Sequence, residues 1–240
     1  MKLEINGIRK HYRRREVLLG ASLTAQSGQC IGILGQNGCG KSTFLSILAG
    51  TLRSDEGEFL VFEADDTQDC TQDSHSAFVP KDLLKSPSLR SRLTGYVPQT
   101  TPLMEELSAL DNLRLWYPDR KTLKEELQGG VLKKLGVDEF LHTPVSKLSG
   151  GMKKRLSIGC SVAHHPQILL LDEPGAALDL VCKEIIVDYL HDFCSEGGIA
   201  IMASHEIHEI TSCDATYILK GGVLVPYLFD GDVEKLVNHL

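Results

Sequence analysis

The stretch GQNGCGKST, Gly35 to Thr43, has glycines, a lysine and hydroxyl groups at the spacing G-x-x-x-x-G-K-[ST]. Glycines at this spacing let backbone N–H groups close around phosphate oxygens, and a helix that starts there adds its positive end. The ammonium of Lys41 would meet the β- and γ-phosphates, and the hydroxyl of Ser42 would bind Mg²⁺. We therefore predict that a nucleoside triphosphate binds to Gly35, Gln36, Asn37, Gly38, Cys39, Gly40, Lys41, Ser42 and Thr43.

A second polar element, the acid pair in LLLDE, could supply the rest of a hydrolytic site. Asp172 would hold the Mg²⁺ shell, and Glu173, one residue further on, would polarise the attacking water. An acid pair at a strand end is also a common helix cap. Together with the phosphate loop, the pair favours nucleotide hydrolysis.

A third element, LSGGM (Leu148 to Met152), is not needed by the first two. A helix that begins near Gly150 presents free N–H groups and a partial positive charge, and Ser149 can donate its hydroxyl to a phosphate oxygen. The alternative is that Ser149 is only a structural N-cap. We predict a second anion site formed by Ser149, Gly150 and Gly151.

The elements that must position these residues are apolar runs typical of buried parallel strands. They are CIGILG before the phosphate loop, ILLLDEP around the acid pair, and IAIMASHE, which ends near His205. In open α/β sheets, ligands bind outside the carboxyl ends of parallel strands, so all three runs would direct polar residues into one crevice. KSTFLSILAGTL predicts an amphipathic helix after the loop, ending near Gly50.

The remaining sequence divides the chain into two kinds of structure. Residues 101–165 have helical patterns, which predicts a helical lobe inserted into an α/β domain. The helix after LSGGM is expected to bury Met152, Leu156 and Ala163 on one stripe. The polar stretch Glu63–Ser76 has no period and predicts a surface loop or a partly disordered insert.

Composition narrows the class of protein. The 240 residues carry a net charge of -7, which argues against nucleic acid as a partner, and the basic run RKHYRRRE is interpreted as a solvated loop. Seven cysteines without a C-x-x-C pair argue against a disulfide framework or zinc site and favour a reducing cytoplasm. No window approaches the roughly 18 consecutive apolar residues that a membrane span requires.

The order of these motifs resembles the ATP-binding-cassette (ABC) ATPases over nearly the whole chain, and LSGGMKKRL is similar to the version found in export ATPases for drugs and polysaccharides. The resemblance implies a RecA-like, mostly parallel sheet with an N-terminal antiparallel β subdomain and a helical insert. It implies one domain, 1–240, with a nucleotide-binding core (1–100 and 166–240) and a helical subdomain (101–165). It further assigns an adenine-stacking role to Tyr12, Mg²⁺ contact to Gln99, an aspartate loop to Asp179 and a switch role to His205.

In this family, the signature LSGGM of one subunit closes over ATP held by the phosphate loop of another. The resemblance therefore implies an ATPase subunit, with ATP and Mg²⁺, that pairs with a second ATPase subunit, expected to be identical, and with a transmembrane permease. It would lie on the cytoplasmic face of the membrane, and the signature variant favours export. Two alternatives are a soluble cassette ATPase without a membrane partner and a lone kinase or GTPase. A lone kinase or GTPase is disfavoured, because the sequence contains no N-K-x-D motif for reading guanine and because LSGGM would be left unexplained.

Overall fold

The computed structural model describes residues 1–13, 15–63, 80–229 and Leu236. Of the predicted polar loop, all residues after Glu63 lie outside this part of the chain. The strands are Lys2–Tyr12 (β1), Arg15–Gln26 (β2), Cys30–Leu34 (β3), Glu56–Phe62 (β4), Lys81–Asp82 (β5), Thr94–Val97 (β6), Ile168–Asp172 (β7), Ile199–Ala203 (β8), Ala215–Lys220 (β9) and Val223–Tyr227 (β10). The helices are Lys41–Ala49 (α1), Pro87–Leu93 (α2), Ala109–Trp116 (α3), Arg120–Gln128 (α4), Val131–Lys134 (α5), Gly150–Ser161 (α6), Leu180–Ser195 (α7) and Ile207–Thr211 (α8), with 3₁₀ turns at Val137–Phe140 and Val145–Lys147.

The larger sheet has six strands in the order β10-β9-β3-β8-β7-β6. Its strands are parallel from β9 to β6, and β10 adds an antiparallel edge. Every residue of β3, β7 and β8 is buried, which explains why these strands appear in the sequence as unbroken apolar runs. The three predicted parallel strands are therefore confirmed as neighbours, and the segments that follow them meet at one edge.

The smaller sheet has four antiparallel strands in the order β2-β1-β4-β5. It supplies the N-terminal antiparallel part, so the predicted fold class is confirmed. The interpretation of RKHYRRRE as a solvated loop was wrong, because Arg9–Tyr12 belong to β1 and Arg15 begins β2. Backbone pairing along this hairpin overrides the local charge pattern, and most of its side chains remain exposed.

The segment between β6 and β7 contains α3 to α6 and the two 3₁₀ turns, with no strand of three or more residues. Its helices share a buried apolar cluster with β7 and α7 that includes Leu113, Leu132, Leu156 and Leu171. The helical character of this segment matches the prediction. The division at residues 101 and 165 into core and helical subdomain stays a prediction.

Helix α1 forms directly behind the phosphate loop, as the apolar spacing predicts. Phe44, Leu45 and Leu48 are fully buried against the core of both sheets, and Gly50 caps the helix. This burial fixes the first turn of α1, with Lys41 and Ser42, at the carboxyl edge of β3.

Candidate nucleotide-binding and hydrolysis site

A cavity of about 460 Å³ opens at the carboxyl edge of the six-stranded sheet. Its lining combines the loop after β3 with the start of α1, Glu173 directly after β7, Gln99 in the loop after β6, and His205 after β8. Nine of the predicted site residues line it: Asn37, Gly38, Gly40, Lys41, Ser42, Thr43, Gln99, Glu173 and His205. Sequence elements more than 130 residues apart are thus brought into one site, as the strand pattern predicts.

The phosphate loop presents Lys41 to this cavity. The Lys41 Nζ donates to the carbonyl of Gly35 at 2.7 Å, and it lies 3.4 Å from Oε1 of Glu173. Gly40 has a φ of 116°, and a Cβ there would lie 3.0 Å from Cγ1 of Val17, so the turn requires glycine. The loop therefore holds one buried cation at the floor of an otherwise open cavity.

Three residues of the predicted loop, Gly35, Gln36 and Cys39, do not line the cavity. The Sγ of Cys39 lies 2.6 Å from the position that a Cβ on Gly35 would take, and Cys39 packs against the apolar core. Cys39 is thus a small side chain that fills space beneath the loop.

The acid pair is divided between two environments. Asp172 ends β7 with only 2% exposure, and in the described part of the chain its Oδ1 has no hydrogen-bond partner. Burial raises the pKa of Asp172, the Ser42 hydroxyl bond lowers it, and the charge of Glu173 raises it. A buried carboxylate oxygen without a partner beside a hydroxyl is suited to a divalent cation with oxygen ligands, so Ser42 and Asp172 fit Mg²⁺.

Glu173 lies between a lysine and a histidine. Its Oε2 accepts a hydrogen bond from Nδ1–H of His205 at 2.6 Å, while Oε1 faces Lys41. The residue has a φ of 49°, an uncommon conformation that the hydrogen bond from its N–H to the carbonyl of Ala203 helps to hold. Glu173 is 5% exposed, so its carboxylate is held in one orientation at the cavity wall.

The signature residues lie elsewhere. Ser149 caps α6, because its Oγ accepts a hydrogen bond from the N–H of Met152 at 3.2 Å. Asp179 caps α7 in the same way, through the N–H of Cys182 at 2.9 Å. Neither these caps nor the two signature glycines, Gly150 and Gly151, line the cavity of their own chain. Within one chain, the two glycine-rich loops therefore form separate surfaces.

Tyr12 also lies outside the cavity lining. It is 45% exposed at the end of β1, with the Nζ of Lys10 5.6 Å from its ring centroid. The hairpin that carries it reaches the phosphate loop, since Nη2 of Arg15 donates to the carbonyl of Gly38 at 3.3 Å. Its adenine-stacking role stays a prediction.

Sequence reasoning missed Arg15 and Val17, which line the cavity, and Lys154, which supports it from behind. Lys154 is 4% exposed; burial lowers its pKa, while the nearby charges of Asp172, Glu209 and Glu173 raise it. The prediction of a single buried stripe on α6 was wrong: Lys154 to Cys160 are all buried, whereas Met152 and Ala163 are only partly so. Helix α6 is enclosed by neighbouring elements, so burial does not follow its apolar period.

The structure explains why residue 151, the second glycine of the signature, is a glycine, and the explanation can be tested. A Cβ on Gly151 would lie 2.3 Å from Sγ of Cys182, whereas one on Gly150 would meet only Cδ2 of Leu178 at 3.7 Å. We expect Gly151→Ala to lower the free energy of unfolding by about 1–3 kcal/mol, the usual cost of overpacking. Gly150→Ala is the control and should be nearly neutral in chemical denaturation.

Adding Cys182→Ala to Gly151→Ala should recover much of the lost stability, because the clashing sulfur is removed. Equal melting temperatures for Gly150→Ala and Gly151→Ala would show that Cys182 on α7 does not lie this close to Gly151 on α6.

Comparison with known proteins identifies the class. Residues 18–176, more than half of the chain, match the ABC transporter family, and the chain therefore belongs to that family. It is an ATP-binding-cassette ATPase. No helix in the described part of the chain is both long and apolar enough to cross a membrane.

Relatives span several transport roles. The chain is 27% identical over 244 residues to the probable multidrug ABC transporter ATP-binding protein YbhF of Escherichia coli, covering 99% of this chain and 39% of that one. It is 33% identical over 214 residues to the spermidine/putrescine import ATP-binding protein PotA of Mesoplasma florum, covering 88% and 56%. With the lipopolysaccharide export ATP-binding protein LptB of Haemophilus influenzae it shares 27% identity, covering 98% and 92%. The chain thus spans less than two thirds of the length of the first two relatives.

Solved structures agree on the fold. A nucleotide-free ATP-binding cassette from an ABC transporter superimposes with a TM-score of 0.80 at 20% identity, covering 99% of this chain and 96% of that one. The ADP conformation of the cassette MJ1267 gives a TM-score of 0.77 at 20% identity, with 99% and 95% coverage.

Proposed function

We propose that the chain is the ATP-hydrolysing subunit of a membrane transporter, that it works as a head-to-tail dimer with Mg²⁺, and that it drives a separate permease. The observation that carries this proposal is the separation of the two loops. Lys41, Glu173 and His205 converge in one cavity, while Ser149, Gly150 and Gly151 lie outside it. A second subunit would bring its signature to this open cavity.

The chemistry proposed for one half-site follows from the contacts. Lys41 would turn from Glu173 to the β- and γ-phosphates, because phosphate oxygens carry more charge than the single carboxylate. Ser42, Asp172 and Gln99 would hold Mg²⁺, which neutralises charge on the phosphates when bound. Freed from Lys41, Glu173 would accept a proton from the attacking water, held in position by His205. His205 is half exposed, and its other ring nitrogen would donate a hydrogen bond to the γ-phosphate.

The dimer surface proposed here includes the caps of α6 and α7. Leu180 and Val181, directly after the Asp179 cap, are 67% and 70% exposed and place two adjacent apolar side chains on this surface. Burial of these residues against a second copy would favour pairing. We propose a homodimer, in which Ser149 and the two glycines complete the partner's site.

The permease is proposed to dock beside Gln99. A groove of about 1050 Å³ runs along Pro98, Arg90 and Trp116, and the Trp116 side chain is 52% exposed. Such a groove could take a helix from a membrane subunit, and the ATPase would then lie peripherally on the cytoplasmic face. A neighbouring reading frame for a hydrophobic protein with about six spans would support this partner over a soluble cassette ATPase.

We propose export as the direction of transport. The signature ends in Met152 with KKRL following, as in the export-type variant. Three relatives named for multidrug transport, resistance or export match most of this chain: the probable multidrug protein, the linearmycin resistance protein LnrL of Bacillus subtilis, and LptB. PotA, which is named for import, matches a similar share, so the proposed direction depends on the signature variant. The transported substrate is expected to be selected by the permease.

The dimer arrangement predicts the effect of a block at the signature. Ser149→Arg should leave ATP binding by the isolated chain nearly unchanged but remove hydrolysis, because Ser149 is outside the chain's own cavity and exposed to a partner. Nucleotide titration and phosphate release measure the two effects. Ser146→Arg, also on the surface and three residues earlier, is the control and should hydrolyse ATP normally.

A mixing experiment tests whether the sites are shared. In a mixture of Ser149→Arg and Lys41→Ala chains, each mixed dimer has one site with both defects and one site with none. Random pairing should recover about a quarter of the normal rate, since half of the dimers have one intact site. A mixture as inactive as its components would show that each chain uses its own signature, against this proposal.

A further inference from the structure

Lys154 is a buried cation that touches the backbone of the predicted metal-binding loop. It lies on α6, five residues after Ser149, and is 4% exposed. Its Nζ donates to the carbonyl of Pro98 at 3.1 Å and to the carbonyl of Gln99 at 3.2 Å. Throughout the described part of the chain, no carboxylate lies within ion-pair distance of it.

Removing an ammonium group from water is costly, so a lysine at this position needs compensation. The two carbonyl oxygens provide hydrogen bonds, and the negative charges of Asp172 and Glu173 act on the group from further away. An apolar residue could fill the same space on α6 without this cost. The contact with Gln99 is therefore the feature that distinguishes a lysine here.

Gln99 needs external support because it lies beyond the sheet. Strand β6 ends at Val97, Pro98 follows, and Gln99 is exposed with its side chain lining the cavity. The direction of that side chain depends on the backbone that Lys154 holds. A second hydrogen bond, from the Ser161 hydroxyl to the carbonyl of Tyr96 at 2.9 Å, ties the far end of α6 to β6 itself.

We propose that Lys154 is the positioning residue for Gln99, holding its backbone so that the side chain reaches the metal and attacking water. This inference rests on the proposed function of the site. It also connects the signature to the metal site within one chain, because Ser149 caps α6 and Lys154 lies on the second turn of that helix. A shift of α6 on contact with a partner's nucleotide would move Gln99 with it.

The test measures ATP hydrolysis by the full chain as a function of Mg²⁺ concentration. Lys154→Met should lower kcat and raise the Mg²⁺ concentration for half-maximal rate, each by about tenfold, the usual effect of losing a group that orients a metal ligand. Binding of a fluorescent ATP analogue in EDTA should stay unchanged. Lys154→Arg, which keeps a cation with several N–H donors, should recover most of the activity.

Ser161→Ala is the matched control, because it removes the other hydrogen bond between α6 and the β6 segment without touching Gln99. Its Mg²⁺ dependence should equal that of the unsubstituted chain. If Lys154→Met does not fold in thermal melts, Lys154→Gln, which keeps N–H donors without charge, is measured in its place.

A double variant separates positioning from general stability. If Lys154 acts through Gln99, Lys154→Met combined with Gln99→Ala should be no slower than Gln99→Ala alone. Two results would overturn the role of Lys154: a double variant slower than Gln99→Ala alone, or a Lys154→Met chain with normal Mg²⁺ dependence. In either case, ATP hydrolysis by the unsubstituted chain would still support the proposed function. Absence of Mg²⁺-dependent hydrolysis in the unsubstituted chain would overturn both.

Discussion

Replacing Glu173 with glutamine is expected to lower ATP turnover by roughly 10²- to 10⁴-fold, the usual contribution of a positioned general base. The amide has nearly the same size as the carboxylate, so packing around a side chain with 5% exposure should persist. It has only one acceptor oxygen, however, whereas the carboxylate faces both Lys41 and His205. The variant therefore loses the base and one of two contacts.

The same variant should trap a dimer. Each bound ATP would bridge the phosphate loop of one chain and the signature of the other, so ATP that is not cleaved should hold two chains together. Light scattering at saturating ATP should report a dimer for Glu173→Gln, and ADP should give a monomer. Glu125→Gln, an exposed acid on α4, is the control and should turn over ATP normally.

A monomeric Glu173→Gln chain with normal turnover would remove both the role of Glu173 as the base and the reason for a second glycine-rich loop. Loss of turnover without dimer formation would keep the base but contradict the shared sites.

Lys41→Ala is the second variant with a large expected effect, namely a loss of ATP affinity of about 10²-fold. Charge-assisted hydrogen bonds to two phosphates contribute about 1.5 kcal/mol each, and every 1.4 kcal/mol corresponds to a factor of ten. Other side chains of the loop carry no positive charge. Titration with a fluorescent ATP analogue measures the loss.

The control for this variant must separate binding from folding, because removing Lys41 leaves Oε1 of Glu173 without its buried cation. Thermal denaturation should show a folded chain, and Lys121→Ala, at an exposed position of α4, should bind ATP normally. A folded Lys41→Ala chain with unchanged affinity would contradict the assignment of the phosphate loop.

Much of the site was predictable because burial, which fixes the positions of the central strands, also determines their apolar sequence pattern. Strands buried on both faces must be apolar throughout, so β3, β7 and β8 are visible as runs, and their ends locate Lys41, Glu173 and His205. The apolar period of α1 similarly predicts its buried face.

The residues that the sequence analysis missed are positioned by contacts with residues far away in the sequence. Arg15 and Val17 reach the cavity because the β1–β2 hairpin leans on the phosphate loop, and a basic run gives no sign of that packing. Lys154 follows Lys153 in the sequence, and such a pair of lysines is typical of a solvated helix face. Only the enclosure of α6 by other elements makes one of the two buried and leaves the other paired with Glu105 on the surface.

The strand order also determines when the nucleotide pocket can form during synthesis. Strand β3 is made early, but both of its neighbours, β8 and β9, come from the chain after residue 198. At a synthesis rate of about 5–20 residues per second, roughly 10 to 30 seconds pass between the synthesis of β3 and that of β8, its first strand neighbour to be made. The backbone of β3 therefore has no strand partner for that time. A nascent chain that is halted before β8 should therefore depend on chaperones and fail to bind ATP, although its phosphate loop has already been made.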